Sequence, residues 1–196
     1  MQHGGLAVVV LAAGASSRFG SPKQLARLRD ATLLHTVVAR ATDVAAGNVT
    51  VVLGAHAEAI RPHIAGMPIS VIVNPRWQEG LASSLRAGIE SLPDDVAALI
   101  WLGDQVGVTA EDLRRLIAAW DGDRSRIAAS SYGGTIGVPA IFPRSVFPEL
   151  LALRGDRGAK GVLRHHPEKT TFVDMPNAAT DIDTPTDLEN STGSRD

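Results

Sequence analysis

Short apolar, β-branched runs alternate with segments of helical periodicity over the first 120 residues of the chain. The runs are short and bounded by turn residues, so they predict buried strands at residues 6–10, 49–53, 69–73 and 97–102. Apolar positions three and four apart predict helices at residues 33–41, 57–65, 81–92 and 109–120, the second of them weakened by Pro62. This alternation is typical of a doubly wound parallel sheet covered by helices on both faces.

The pattern changes after the fourth predicted strand. It predicts a hairpin around Gly133-Gly134, two short helices and a last strand, at residues 127–142, 146–153, 159–164 and 170–173. The hairpin makes the sheet mixed, so the predicted fold is α/β: a Rossmann-like three-layer α/β/α sandwich with a mostly parallel mixed sheet. We expect one domain over residues 1–189 and a polar, disordered tail over residues 190–196.

Composition and charge narrow the functional classes. The chain has 196 residues, no cysteine and a formal net charge of −2. It therefore lacks the basic excess that attracts nucleic acid or an acidic membrane, and it lacks thiolates for a metal site or a nucleophile. No Lys or Arg precedes the apolar stretch at residues 6–15, which argues against a signal peptide. We expect a cytoplasmic protein that binds neither nucleic acid nor a membrane.

The loop at residues 11–23, directly after the first predicted strand, carries the first candidate chemistry. Gly14 and Gly20 permit turns and close approach of a ligand, and Arg18 and Lys23 add positive charge to a loop rich in backbone N–H groups. Such a loop suits a chain of phosphates. The spacing matches neither a Walker A loop nor the dinucleotide motif G-x-G-x-x-G, and an ordinary strand-to-helix turn with solvated cations is the alternative.

Polar residues also follow two other predicted strands, and in an open α/β sheet these positions share one edge with the first loop. Asp104 is a candidate Mg²⁺ ligand, because Mg²⁺ prefers carboxylate and phosphate oxygens; a turn or helix-cap role is the alternative. Asn74, Gly80, Ser83 and Ser84 are candidates for contacting a nucleobase, since amides and hydroxyls can pair with a pyrimidine edge. Turn and first-turn helix roles are the alternative for them.

Two further groups lie towards the C-terminus. Asp181 and Asp183 alternate, so both would face one side of an extended segment, although Asp183 could instead cap a helix. Residues 155–160 place Arg157 and Lys160 beside a predicted helix start, which suggests a second phosphate site or a glycine-rich surface loop with solvated charges.

The loop sequence Leu-Ala-Ala-Gly-x-Ser-x-Arg-Phe-Gly-x-x-Lys resembles the signature loop of the nucleotidyltransferases that activate sugars, isoprenoid precursors and molybdopterin. It is most similar to that of the molybdenum cofactor cytidylyltransferases. The likeness continues in order through residues 74–85, 102–105, 155–160 and 181–188. It implies the nucleotide-diphospho-sugar transferase type of fold and a Mg²⁺-dependent transfer that releases pyrophosphate.

The resemblance also implies roles for single residues. It implies a catalytic set of Arg18, Lys23 and Asp104, with both cations on the phosphates, and Mg²⁺ held by Asp104 together with Asp183 in preference to Asp181. The implied nucleotide contacts, besides the two cations, are Leu11, Ala12, Ala13, Gly14, Asn74, Gly80 and Ser84. Arg157 and Lys160 would meet the phosphate of the acceptor.

From this resemblance we predict transfer of CMP from CTP to a molybdopterin-type acceptor, with a molybdoenzyme as a further partner that receives the cofactor. Ala13 stands where guanylyl-transferring relatives usually carry glycine, which favours CTP. Val106 and Val138 replace the proline and histidine common in the family, and the second change bears on the acceptor. The alternatives are a guanylyltransferase or a different phosphorylated acceptor, an NAD(P)H-dependent reductase, and a non-catalytic cofactor carrier.

Overall fold

The computed structural model describes residues 5–182, 184 and 186–188. Its strands are β1 (Leu6–Ala12), β2 (Arg27–Leu28), β3 (Ala31–Thr32), β4 (Val49–Leu53), β5 (Ser70–Val73), β6 (Ala97–Leu102), β7 (Ile127–Tyr132), β8 (Thr135–Phe142) and β9 (Thr170–Asp174). Its α-helices are α1 (Leu33–Val44), α2 (Ala57–Ile60), α3 (Leu81–Glu90), α4 (Ala110–Trp120), α5 (Phe147–Ala152) and α6 (Lys160–His165). Short 3₁₀ turns lie at Lys23–Leu25, Arg61–Ile64, Trp77–Glu79, Arg144–Val146, Pro167–Lys169 and Pro176–Ala179.

One seven-stranded sheet, in the order β5-β4-β1-β6-β8-β7-β9, forms the middle layer. Strand β8 is antiparallel to both of its neighbours, whereas the other neighbouring pairs are parallel. The chain runs outward from β1 through β4 to β5 and then returns to the other side of β1 at β6. The loops after β1 and β6 therefore diverge, which is where open α/β sheets bind ligands.

Helices cover both faces of the sheet, so the predicted three-layer sandwich and mixed sheet are confirmed. Side chains of α1, α2 and α4 pack on one face, in a core that includes Leu33, Ile60 and Trp120. Side chains of α3, α5 and α6 pack on the other face, in a core that includes Leu85 and Leu150. Every residue of β1 is buried, as expected for a strand with sheet neighbours on both edges and helices on both faces.

Helix α4 begins with a capping box, and the carboxylate of that box, Asp112, has a strongly perturbed pKa. The Thr109 side chain accepts a hydrogen bond from the Asp112 backbone N–H, and the Asp112 carboxylate accepts one from the backbone N–H of Thr109. Burial of Asp112 favours its neutral form, but hydrogen bonds from Asn177, Thr109 and Arg115 outweigh burial and lower its pKa to about 2.

One predicted helix differs in detail from the structure, and one small hairpin is additional to the prediction. The expected helix over residues 57–65 is α2 followed by a 3₁₀ turn, consistent with Pro62, which cannot donate an intrahelical hydrogen bond. The small antiparallel hairpin of β2 and β3 was not predicted, because two-residue strands are too short to show periodicity.

Among the residues described, no helix has the length and apolar character needed to cross a membrane. The cytoplasmic location and the single-domain boundaries stay predictions, and the predicted tail at 190–196 lies outside the described residues.

Candidate active site

A cleft of about 460 Å³ opens at the carboxyl end of the sheet, beside the ends of β1 and β6. Its walls come from the loop after β1, the turn after β5 with the start of α3, the end of β6, and the loop before α6. The lining residues are Leu11, Ala12, Ala13, Gly14, Ala15, Arg18, Lys23, Gln24, Leu33, Trp77, Gln78, Gly80, Leu81, Ser84, Leu102, Gly103, Asp104 and Asp156.

The loop after β1 is held in shape by the buried side chain of Gln24. Its amide nitrogen donates hydrogen bonds to the carbonyl oxygens of Ala12 at 3.1 Å and Gly14 at 2.9 Å. Its amide oxygen accepts one from the Ser16 hydroxyl at 3.1 Å, and the same hydroxyl accepts from the Lys23 backbone N–H at 3.1 Å. One buried amide thus ties the beginning of the loop to its end and brings Lys23 back to the cleft.

Lys23 and Asp104 meet in the cleft. The Lys23 Nζ atom lies 2.6 Å from Asp104 Oδ2, and the side chains are only 16% and 21% exposed. Partial burial makes this charge-assisted contact stronger than an ordinary surface ion pair. It joins the loop after β1 to the end of β6 and fixes a cation and a carboxylate side by side.

The second carboxylate oxygen of Asp104 is buried and has no hydrogen-bond partner among the described residues. A buried carboxylate oxygen without a partner is costly, and a divalent cation would satisfy it. The residues described contain no group of three potential ligands that could by itself enclose a metal. Mg²⁺ sites commonly rely on one or two carboxylates and substrate phosphates, so Asp104 fits as a ligand in such a site.

The C-terminal segment approaches Asp104 through its backbone. The Ile182 N–H donates to the Asp104 carbonyl oxygen at 3.3 Å, so the residue before Asp183 lies beside the proposed ligand. Asp183 itself lies outside the described residues. Asp181 is exposed and lines a separate groove with Arg29 and Arg40, not the cleft.

The residues after β5 divide into a buried support and a cleft wall. Asn74 is 2% exposed and does not line the cleft. Its amide nitrogen donates to the hydroxyls of Ser83 and Ser84 at 2.8 and 3.1 Å, and its oxygen accepts from the Arg76 N–H at 2.9 Å. Asn74 therefore holds the turn against the start of α3, whereas Ser84 and Gly80 reach the cleft.

Gly80 occupies a position that requires glycine. Its φ is +98°, a value that other residues rarely adopt, and a Cβ there would lie 2.5 Å from the Gly155 carbonyl carbon and 2.5 Å from Asp156 Oδ1. The close contact packs the loop of residues 155–158 directly onto the turn after β5.

The predicted acceptor residues lie apart from the main cleft. Arg157 and Lys160 are both exposed, and neither lines the cleft. Lys160 borders a neighbouring apolar cavity of about 170 Å³, which also includes Tyr132. This cavity shares Leu11 and Leu81 with the cleft, so the two spaces adjoin.

The structure thus brings most of the predicted site together: Leu11, Ala12, Ala13, Gly14, Arg18, Lys23, Gly80, Ser84 and Asp104 all line one cleft. Gln24, Trp77 and Asp156 also belong to it and were not predicted as site residues. Each lies within or beside one of the family-like segments of the sequence, but their orientation depends on contacts that no sequence spacing reveals.

Comparison with known proteins identifies the family. A model of the MobA-like NTP transferase domain matches residues 8–170. The chain belongs to this family. Membership of the MobA-like family makes the chain a nucleotidyltransferase. A cleft that combines a cation-bearing loop with a carboxylate agrees with this class.

Relatives of known structure match almost the whole MobA-like chain. Rv0371c from Mycobacterium tuberculosis H37Rv is 34% identical, with a TM-score of 0.83 over 97% of this chain and 98% of that one. A second crystal structure of Rv0371c, in complex with manganese, is 29% identical with a TM-score of 0.76 over 97% and 98% of the two chains. A divalent metal is thus found with a relative of this MobA-like fold.

Curated relatives carry different names. Nicotine blue oxidoreductase of Paenarthrobacter nicotinovorans is 29% identical over 187 residues, covering 90% of this chain and 91% of that protein. The bifunctional protein GlmU of Stenotrophomonas maltophilia strain R551-3 is 33% identical over 115 residues, which cover 58% of this chain and 25% of GlmU. Because these names differ, the nucleotidyltransferase class of this chain rests on the match to the MobA-like family.

Proposed function

We propose that this chain transfers CMP from CTP to a molybdopterin-type acceptor in a Mg²⁺-dependent reaction that releases pyrophosphate. The observation that carries the proposal is the contact between Lys23 and Asp104, which puts a cation and a carboxylate at the junction of the loop after β1 and the end of β6. In such a pair the cation can bind the phosphates of a nucleotide, and the carboxylate can bind the divalent metal that accompanies them.

The reaction needs positioning and charge stabilisation more than covalent chemistry from the protein. An oxygen of the acceptor's phosphate attacks the α-phosphorus of CTP, a new P–O bond forms, and the bond from the α-phosphorus to the bridging oxygen breaks. Negative charge grows on the departing pyrophosphate. Arg18 and Lys23, both in the cleft wall, would stabilise that charge, while the backbone of residues 11–14 supports the nucleotide.

Asp104 would hold the metal, with Asp183 as the second expected ligand. When bound, Mg²⁺ would neutralise phosphate charge and orient the phosphate oxygens. The buried, unpartnered Oδ1 atom of Asp104 supports this assignment, and so does the backbone hydrogen bond from Ile182, next to Asp183.

The nucleoside assignment rests on one wall of the cleft, and the acceptor assignment rests on two exposed cations near the adjoining cavity. Gly80 and Ser84 line the cleft and would contact the base, while the buried Asn74 would act indirectly by holding Ser84. Arg157 and Lys160 would meet the acceptor's phosphate beside the adjoining apolar cavity, which Lys160 borders. An acceptor with a phosphate and a compact ring system would use both features.

The test is pyrophosphate release from CTP in the presence of molybdopterin and Mg²⁺. We expect Asp104→Asn and Lys23→Met each to lower kcat/KM at least about tenfold, a loss of about 1.4 kcal/mol of transition-state stabilisation. Asp94→Asn is the matched control, because Asp94 also forms a 2.6 Å ion pair, with Arg144, but outside the cleft. Wild-type rates in both cleft variants would contradict the proposal.

The second candidate is a nicotinamide-dependent reductase on the same fold, and the observation in its favour is that one relative is named an oxidoreductase. It would oxidise NADPH in the presence of a dye acceptor and consume no triphosphate. The sequence lacks G-x-G-x-x-G, which counts against it. NADPH oxidation that persists in Asp104→Asn, together with no pyrophosphate release from CTP, would favour the reductase over the transferase.

A further inference from the structure

The loop before α6 contributes one side chain to the cleft, and that side chain is acidic. Asp156 lines the cleft, while its neighbour Arg157 does not. The Asp156 carboxylate lies against Gly80, since a Cβ built on Gly80 would be 2.5 Å from Asp156 Oδ1. Asp156 therefore stands at the wall formed by the turn after β5, and Trp77 and Ser84 line the same cleft.

Backbone contacts fix this loop relative to that wall. The Ala82 N–H, in the first turn of α3, donates to the Gly155 carbonyl oxygen at 3.0 Å. Arg86, one turn further along α3, donates to the Leu153 carbonyl oxygen at 2.7 Å and also pairs with Glu79 at 3.0 Å. The position of Asp156 is thus set by contacts to the same helix that carries Ser84.

The two cleft carboxylates differ in their surroundings. Asp104 is paired with Lys23, whereas within residues 5–182, 184 and 186–188 the Asp156 carboxylate forms no hydrogen bond or ion pair. An unpaired carboxylate repels a triphosphate, so Asp156 does not suit the phosphate end of the cleft. It suits the nucleoside end, where a neutral hydrogen-bond donor would complement it.

We propose that Asp156 determines nucleotide specificity by accepting a hydrogen bond from the exocyclic amino group of the base. Cytosine presents an amino donor at position 4, and uracil presents a carbonyl acceptor at the same position. A carboxylate at this wall attracts the first and repels the second. The inference rests on the proposed function, and it gives a physical reason for a preference for CTP over UTP.

Titration calorimetry with Mg²⁺ tests the inference on the full chain, with CTP, UTP and dCTP as ligands. We expect the wild-type protein to bind CTP at least about tenfold more tightly than UTP, in line with one charged hydrogen bond gained and one repulsion avoided. In Asp156→Ala the two affinities should fall within about threefold of each other. In Asp156→Asn the preference should also be lost, because the amide can either accept from the cytosine amino group or donate to the uracil oxygen.

Glu90→Gln is the matched control. It removes the same charge from the exposed far end of α3 and should keep the wild-type ratio of CTP to UTP affinity. A wild-type ratio in both Asp156 variants would overturn the inference while leaving the proposed function intact. A changed ratio of CTP to dCTP affinity, with the ratio of CTP to UTP unchanged, would also overturn it, because the donor would be the ribose. No binding of any triphosphate by the wild-type protein would overturn the proposed function as well.

Discussion

Replacing Gln24 with alanine should weaken both the fold and the binding of nucleotide, although Gln24 is not assigned a direct role in the reaction. Its amide links Ala12 and Gly14, at the end of β1, to Ser16 on the other side of the turn. Ser16 has a φ of 55°, a left-handed conformation that is unfavourable for serine unless its surroundings hold it. The Gln24→Ala variant removes the hydrogen bond from the Ser16 hydroxyl, which is one of the contacts that hold Ser16 in this conformation.

The size of the effect follows from the three hydrogen bonds that the Gln24 amide makes. With a net value of about 1 kcal/mol each, they predict a decrease of about 2–3 kcal/mol in the free energy of unfolding. Because the loop also carries Arg18 and Lys23, its loosening should weaken nucleotide binding about tenfold, which corresponds to about 1.4 kcal/mol.

Urea denaturation and titration calorimetry with CTP measure the two effects, and a double-mutant cycle with Ser16→Ala isolates the shared contact. Gln24 and Ser16 share one hydrogen bond, so their coupling should be about 0.5–1.5 kcal/mol. A decrease of less than about 0.5 kcal/mol in Gln24→Ala, with unchanged nucleotide binding, would refute the role given to the buried amide.

Three other perturbations test the neighbouring elements. Asn74→Ala removes two buried hydrogen bonds, to the hydroxyls of Ser83 and Ser84, and a partly buried one from the Arg76 N–H. It should lower the free energy of unfolding, measured by urea denaturation, by about 2 kcal/mol. Gly80→Ala would place a Cβ against the backbone of Gly155 at a residue with positive φ. Nucleotide affinity measured by calorimetry should therefore fall at least about tenfold, and an unchanged affinity would show that the turn can move aside. The folded-state pKa of Asp112, about 2, lies below the unfolded value of about 4, so its stabilisation is complete above pH 4 and is lost as the pH falls towards 2. Stability measured across that window should therefore decline less steeply in Asp112→Asn, and equal slopes would contradict the depressed pKa.

Local patterns were sufficient to predict the central strands and the placement of the main loops. The run at the start of β1 is continuously apolar, and buried parallel strands are the elements that produce such runs. The cation-bearing loop, Gly80 and Asp104 each follow a strand directly or within one turn, so their convergence at one edge followed from topology alone.

Other features of the site depend on whether a side chain points into the cleft or into the protein interior. The periodicity of apolar residues does not predict this direction for residues in loops. Asn74 was expected to contact the base, but its three hydrogen bonds point inward and leave Ser84 in the cleft wall. Asp156 lies in a glycine-rich loop whose cations alone were predicted as site residues, and only the packing of that loop on Gly80 brings its carboxylate into the cleft. Long-range contacts of this kind are set by the packing of the whole domain.

Following the α- and γ-phosphates of labelled CTP into the products tests the central claim most directly. The protein would be incubated with molybdopterin, Mg²⁺ and CTP labelled at either the α- or the γ-phosphate. Nucleotidyl transfer predicts that the α label joins the acceptor and that the γ label appears in pyrophosphate in equal amount. Both products should form at least about tenfold more slowly in Asp104→Asn. Release of the γ label as inorganic phosphate, or no consumption of CTP, would contradict the assignment.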